Sequence, residues 1–134
     1  MVELRNDLAS DWRQATCYLN GEWTALADAK VSVLDRGFIF GDGVYEVIAV
    51  DTVDGIRAPF RAHAHFARLQ RSLDAVRIDN PLVVEQWLDL TAEVIERNPW
   101  PRQLVYVQIT RGVKKRDHPF PDGVKPTVFV STTQ

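Results

Sequence analysis

Apolar residues recur with two periods along this chain, and the change of period separates strand-like from helix-like parts. Over residues 44–53 the period is two: Val44, Glu46, Ile48 and Val50 share one face, and Tyr45, Val47, Ala49 and Asp51 the other. Such alternation predicts a strand with two distinct faces. Asp54-Gly55 turns the chain back into a partner strand at 56–60. Upstream, Asn20-Gly21 joins strands at 17–19 and 22–24, a dipeptide that tolerates the positive φ of a two-residue hairpin. Between 62 and 76 the period becomes helical, with Phe66, Leu69, Leu73 and Val76 on one stripe. A second helix is predicted over 83–97, with Val84, Leu88, Thr91 and Ile95 on one face, Pro81 before it and Asn98-Pro99 after it. Strands at 104–111 and 127–131 complete the pattern around a polar loop. Strands and helices that are grouped rather than alternating predict an α+β domain, a mainly antiparallel sheet with two helices packed on one face. Residues 1–14, largely polar and mixed in charge with Leu4, Leu8 and Trp12 spaced along them, read as an N-terminal arm or frayed helical turn, leaving 15–134 as the domain.

Composition narrows the functional classes. The chain has 134 residues, 46% of them hydrophobic and 25% charged, with a net charge of −2. These are the proportions of one globular domain, and they give no electrostatic reason to expect nucleic acid. No run approaches the roughly 20 apolar residues of a membrane span, and the N-terminus lacks the apolar core of a secretory signal. A cytoplasmic protein is the default expectation. Cys17 is the single cysteine and sits among strand-like residues, so it reads as a buried thiol rather than a redox or metal group. His63 and His65, two apart on a helix, face different ways and make a poor metal pair.

The segment at 33–47 makes the most demands on the backbone: an extended approach through Val33, then Asp35-Arg36-Gly37, Phe38-Ile39-Phe40, Gly41-Asp42-Gly43, and a strand carrying Tyr45 and Glu46. Glycines flanking Asp42 suit a sharp turn or positive φ. Glu46 points into the apolar face and needs a partner there; Arg36 or Arg57 is the expected one, in a structural role. Farther on, Arg116 and His118 stand two apart and project to one side if extended. Two such donors can trap a carboxylate, the guanidinium by paired bonds and the imidazole by a third. Spacing alone is equally satisfied by two solvated side chains beside Lys114 and Lys115. A phenol at Tyr45 can donate to an anion while its ring packs on a ligand, or it can simply half-bury in the sheet. Arg68 borders the helix stripe and is placed to reach inward, whereas Arg71 reads as solvent-facing.

Together these motifs resemble the small N-terminal domain of the fold-type IV (class IV) pyridoxal phosphate (PLP) enzymes, the family of D-amino-acid and branched-chain aminotransferases and aminodeoxychorismate lyase. The resemblance runs from about Cys17 to Thr132 and rests on Tyr18-Leu19-Asn20-Gly21, the Asp35 to Glu46 string, His65-Phe66-Ala67-Arg68-Leu69, and Arg116-x-His118 after Thr110-Arg111-Gly112. It implies the small domain of the D-amino-acid aminotransferase-like fold. It also implies that Tyr45, Arg116 and His118 bind the substrate carboxylate, that Arg68 clamps the PLP phosphate, and that the enzyme is a homodimer acting on amino acids and 2-oxo acids, with the Arg-x-His loop reaching into the neighbour's site. The Arg-x-His element favours the D-amino-acid type; branched-chain aminotransferase and aminodeoxychorismate lyase remain open. PLP chemistry also needs a desolvated lysine. Lys30, Lys114, Lys115 and Lys125 lie at strand edges or in polar loops, and in the resembled family that lysine belongs to a larger C-terminal domain. The expectation is a small domain whose lysine-bearing partner is absent, so no catalytic residue is assigned, and a noncatalytic dimerisation or binding module is the rival reading.

Overall fold

A computed structural model describes residues 11–134. Six strands and three α-helices follow one another as β1 Thr16–Leu19, β2 Glu22–Ala25, α1 Arg36–Phe40, β3 Gly43–Val53, β4 Ile56–Pro59, α2 Ala62–Val76, α3 Val84–Glu96, β5 Gln103–Thr110 and β6 Thr127–Thr133. The strands form one sheet in the order β2-β1-β6-β5-β3-β4, antiparallel throughout. Asn20 and Gly21 both take positive φ, which is what lets two residues close the β1–β2 hairpin. A short helical turn at Trp12–Gln14 precedes the sheet, and Leu4 and Leu8 of the expected arm lie outside the described residues.

Helices α2 and α3 cover one face. There Ile48 and Val50 of β3, Val105, Val107 and Ile109 of β5, and Val128 and Val130 of β6 meet Phe66, Leu69 and Leu73 of α2 and Trp87, Val94 and Ile95 of α3. Phe66 and Trp87 stack with ring centroids 5.8 Å apart. Each fully buried side chain of this size contributes about 1.5–3 kcal/mol, so the inner face is the main source of stability. Cys17 is fully buried as well, outside this cluster, because its neighbour Tyr18 takes the inward position opposite Val130. The α+β architecture with helices against one face is as the sequence predicts.

Two local expectations are corrected. Helix α3 buries Trp87, Leu90, Thr91, Val94 and Ile95, while Val84 is exposed; the stripe is rotated because Trp87, whose Nε1 donates to Asn80 Oδ1 at 2.9 Å, claims the core. The approach through Val33 is not extended: Val33 and Leu34 form a turn, and the five-residue helix α1 follows. Asp35 caps that helix by accepting from the Gly37 N–H at 2.8 Å, and the Thr127 hydroxyl donates to its other oxygen at 2.7 Å. Gly41 ends α1 in the left-handed region at φ 64°. Gly43 answers a different need, because a Cβ there would lie 2.6 Å from the Ile109 carbonyl oxygen.

Candidate functional site

The second face of the sheet is covered by neither α2 nor α3; α1 reaches only its Thr110 end, where Gly37 packs on Thr110. Tyr45, Val47 and Leu104 are exposed on this face, and Tyr45 sits opposite Gln108 in the β3–β5 register. Its ring is 5.9 Å from Tyr106, which is in turn 6.2 Å from Phe129, so three aromatic rings cross three adjacent strands. The Tyr106 hydroxyl donates to Gln108 Oε1 at 2.7 Å. Burial pushes the Tyr106 phenol above its ordinary pKa, and neighbouring Tyr45 adds to the shift. An open cavity of about 320 Å³ continues the surface between Phe129, Gln108, Val31 and Phe38.

At one end of this face lies the Arg116-Asp117-His118 loop, exposed at all three positions. Arg116 and His118 both stand against the ring of Phe40, at 5.4 and 5.8 Å from its centroid. The buried Arg36 guanidinium is 4.8 Å from the same ring. Arg36 donates from Nε to Asp42 Oδ2 at 2.9 Å and from Nη1 to the Asp117 carbonyl at 2.7 Å. Asp42 also accepts from Arg111 at 2.7 and 3.2 Å, and Arg111 donates to the carbonyls of Val76 and Arg77 at the end of α2. Burial alone pushes the Asp42 carboxyl up, but the bonds from Arg111 and Arg36 outweigh it and hold the pKa below the usual carboxylate range. The turn before Tyr45, the end of α2 and the Arg-x-His loop are therefore one ionic unit. Tyr45 itself touches Tyr106 rather than Arg116 or His118.

The inner face holds a second charged cluster. Glu46 is only 2% exposed, and its partner is neither Arg36 nor Arg57. Arg36 serves Asp42, while Arg57 donates to the carbonyls of Asn98 and Trp100. Helix α2 supplies the partners instead: Arg68 donates from Nε and Nη2 at 2.7 and 2.8 Å, and His65 Nδ1 stands 2.8 Å from Glu46 Oε2. His65 and Arg68 are three apart, so they lie one above the other on the helix. Burial pushes the Glu46 carboxyl up, yet the hydrogen bonds from Arg68 and His65 prevail and hold it low. The same pairing raises the Arg68 pKa. One edge of the Arg68 fork is thus fixed on Glu46, while its Nη1 edge has no partner among the described residues. The side chain is 60% exposed and borders a shallow pocket shared with Arg61, His65 and Arg71. Arg71 is exposed as expected, but it belongs to that pocket.

Sequence reasoning did not single out Phe40, Arg111 or the brace formed by His65. The brace had a signal: a carboxylate on the apolar face of a strand followed by two cationic side chains at helical spacing. Lys30, Lys114, Lys115 and Lys125 are all exposed. Among the described residues no group of His, Cys, Asp and Glu side chains is placed to hold a metal, and no helix is long and apolar enough to cross a membrane.

Comparison with known proteins gives a consistent family. The model of the amino-transferase class IV family matches residues 43–134. A D-alanine aminotransferase of Staphylococcus aureus is 37% identical over 116 residues, which is 86% of this chain and 40% of that protein. A putative branched-chain-amino-acid aminotransferase of Methanocaldococcus jannaschii is 36% identical over 84% of this chain and 38% of its own length. The crystal structure of the Escherichia coli branched-chain amino acid aminotransferase superposes with a TM-score of 0.83 at 23% identity, covering 89% of this chain and 39% of that one. The chain spans about 40% of the length of the curated relatives it matches.

Proposed function

The chain belongs to the class IV aminotransferases, and from that premise we propose that it is the small domain of a PLP-dependent enzyme moving an amino group from a D-amino acid to a 2-oxo acid. The observation that carries the reading is the meeting of Arg116 and His118 on one ring, with neither donor group committed to an acid among the described residues. In this reading both donate to the substrate carboxylate, and Tyr45 presents its phenol and ring to the same ligand. The D-alanine aminotransferases support the D-amino-acid type; the branched-chain relative keeps that specificity as the alternative.

The cationic pocket on α2 fits the cofactor's phosphate. Arg61, Arg68 and Arg71 border it, and the free edge of Arg68, held in orientation by Glu46, matches a phosphate oxygen pair. Branched-chain aminotransferases have been solved with pyridoxamine 5'-phosphate and with N-(5'-phosphopyridoxyl)-L-glutamate. When bound, PLP supplies the electron sink that makes removal of the substrate α-proton feasible. The work of this chain is to hold the phosphate and orient the carboxylate. The lysine that carries the cofactor and moves the proton belongs, in this proposal, to the larger remainder of the enzyme. Homodimeric assembly and a cytoplasmic location are part of the same proposal. The four exposed lysines favour the noncatalytic reading for these residues taken alone.

The test is an assay of the full-length protein reconstituted with PLP, with D-alanine and L-leucine offered separately against 2-oxoglutarate. Turnover of D-alanine is expected. Turnover of L-leucine alone moves the assignment to the branched-chain type, and turnover of neither returns it to a binding module. In the active enzyme, Arg116→Ala should raise KM for D-alanine by roughly 10- to 100-fold, the worth of a charge-assisted bond.

A further inference from the structure

We infer that Arg36 is a positioning residue for the Arg116–His118 pair, acting through the Asp117 peptide and the Phe40 ring. The inference rests on the carboxylate-binding reading of that pair and goes beyond it, because Arg36 itself reaches no ligand: it is 4% exposed.

A loop residue is fixed in space by its backbone, and the Arg116-Asp117-His118 segment lies in an exposed stretch between β5 and β6 without regular structure. Its one strong tether is the carbonyl of Asp117, which accepts from Arg36 Nη1 at 2.7 Å. That carbonyl belongs to the Asp117–His118 peptide, so holding its plane fixes the main chain from which His118 leaves, and it anchors the loop one residue from Arg116, whose side chain the Phe40 ring orients. The tether is itself anchored, because Arg36 also donates to Asp42, and Arg111 locks Asp42 from the other side. Phe40 completes the arrangement. It stands one turn along α1 from Arg36 and presents one ring to Arg36, Arg116 and His118 together. An aromatic face attracts a guanidinium without occupying its N–H groups, which leaves Arg116 oriented yet still free to bind.

The charges point the same way. Arg36 and Arg111 converge on Asp42, and the Asp117 carboxylate is turned back to accept from the His118 N–H at 2.8 Å. The ion pairs at this end of the sheet, Arg36–Asp42 and Arg111–Asp42, do not include Arg116, which leaves its charge available to an anion. A tether needed for stability alone would be served by any donor to Asp117. A planar fork that reaches Asp42, Asp117 and a ring at once is specific to arginine.

The experiment uses the full-length, PLP-bound enzyme with Arg36→Lys, which keeps the charge and loses the fork. Two constants are measured: the inhibition constant of propionate, a carboxylate with no amino group, and the dissociation constant of PLP. Propionate binding should weaken about tenfold, as for one lost orienting bond, with PLP affinity unchanged. An unchanged propionate constant overturns the inference, as does an equal loss in both constants, which marks general disruption. Arg116→Ala in the same assay separates the layers: if it leaves propionate binding intact, the carboxylate reading has failed; if it weakens propionate and Arg36→Lys does not, only the positioning role has failed. Should Arg36→Lys not fold, Phe40→Leu decides by the same ratio, with a loss of about threefold in propionate binding alone expected from the missing cation–π contact.

Discussion

Arg68 and Arg116 are both arginines assigned to anions, yet the fold restrains them in opposite ways. Arg68 is braced directly: a buried carboxylate takes one edge of its fork, and a histidine one turn away supports that carboxylate. Arg116 has no acid partner among the described residues; the fold instead tethers the neighbouring Asp117 carbonyl and gives the guanidinium an aromatic surface. Direct bracing yields a rigid donor for a ligand that never changes, such as a cofactor phosphate. Holding the backbone leaves the side chain adaptable, which suits a site that must take an amino acid and a 2-oxo acid in turn.

The comparison can be broken most forcefully at Asp42. Asp42→Ala leaves Arg36 and Arg111 buried without their counter-charge and should cost about 3–5 kcal/mol, as for one partner removed from a buried pair; denaturant unfolding measures it, and a loss below 1 kcal/mol would show that water replaces the carboxylate. Glu46→Gln keeps the shape of the brace and removes its charge. It should cost about 1–3 kcal/mol of stability and weaken PLP binding, while leaving propionate binding alone. Acidification acts on both clusters with one sign. Asp42 and Glu46 carry folded pKa values below the ordinary range, so the unfolded chain binds more protons where they titrate, and stability rises with pH there. Their contribution is complete above the ordinary carboxylate values near pH 4 and is lost as pH falls through the folded ones. An acid unfolding profile records this, and Glu46→Gln should flatten part of it. The smallest expected effect sharpens the contrast: Arg116→Ala should change stability by no more than about 0.5 kcal/mol, as for an exposed residue, while abolishing most carboxylate affinity.

Much of the fold is legible in the sequence because its signals are local. The Asn20-Gly21 hairpin, the alternation of β3 and the Phe66-Leu69-Leu73 stripe of α2 each depend on residues within one element. What escapes is decided across the chain. Helix α1 is too short to show a period and exists through Asp35, which is held by Thr127, and through the Arg36 N–H, which donates to the Gly112 carbonyl. The face of α3 turns on a single tryptophan finding Asn80. Glu46 could be read as buried and in need of a cation, but the expected partners, Arg36 on α1 and Arg57 on β4, are sent elsewhere by their own elements. Arg116 and His118 were found by motif; their common contact with Phe40 joins segments far apart in the chain, and no local pattern announces it.

The strand order has a consequence for how the molecule is made. Strand β6 is the last of the six to leave the ribosome, yet it lies between β1 and β5 in the finished sheet, with Tyr18 opposite Val130 on one side and Val107 opposite Val130 on the other. Until it is synthesised, the β1–β2 hairpin has no neighbour and the edge of β5 is unpaired. Such an edge can pair with another chain, and so late a closure between distant segments folds slowly. Completion of β6 is therefore the step at which the nascent chain becomes one domain, and the interval before it is when a chaperone has most to protect.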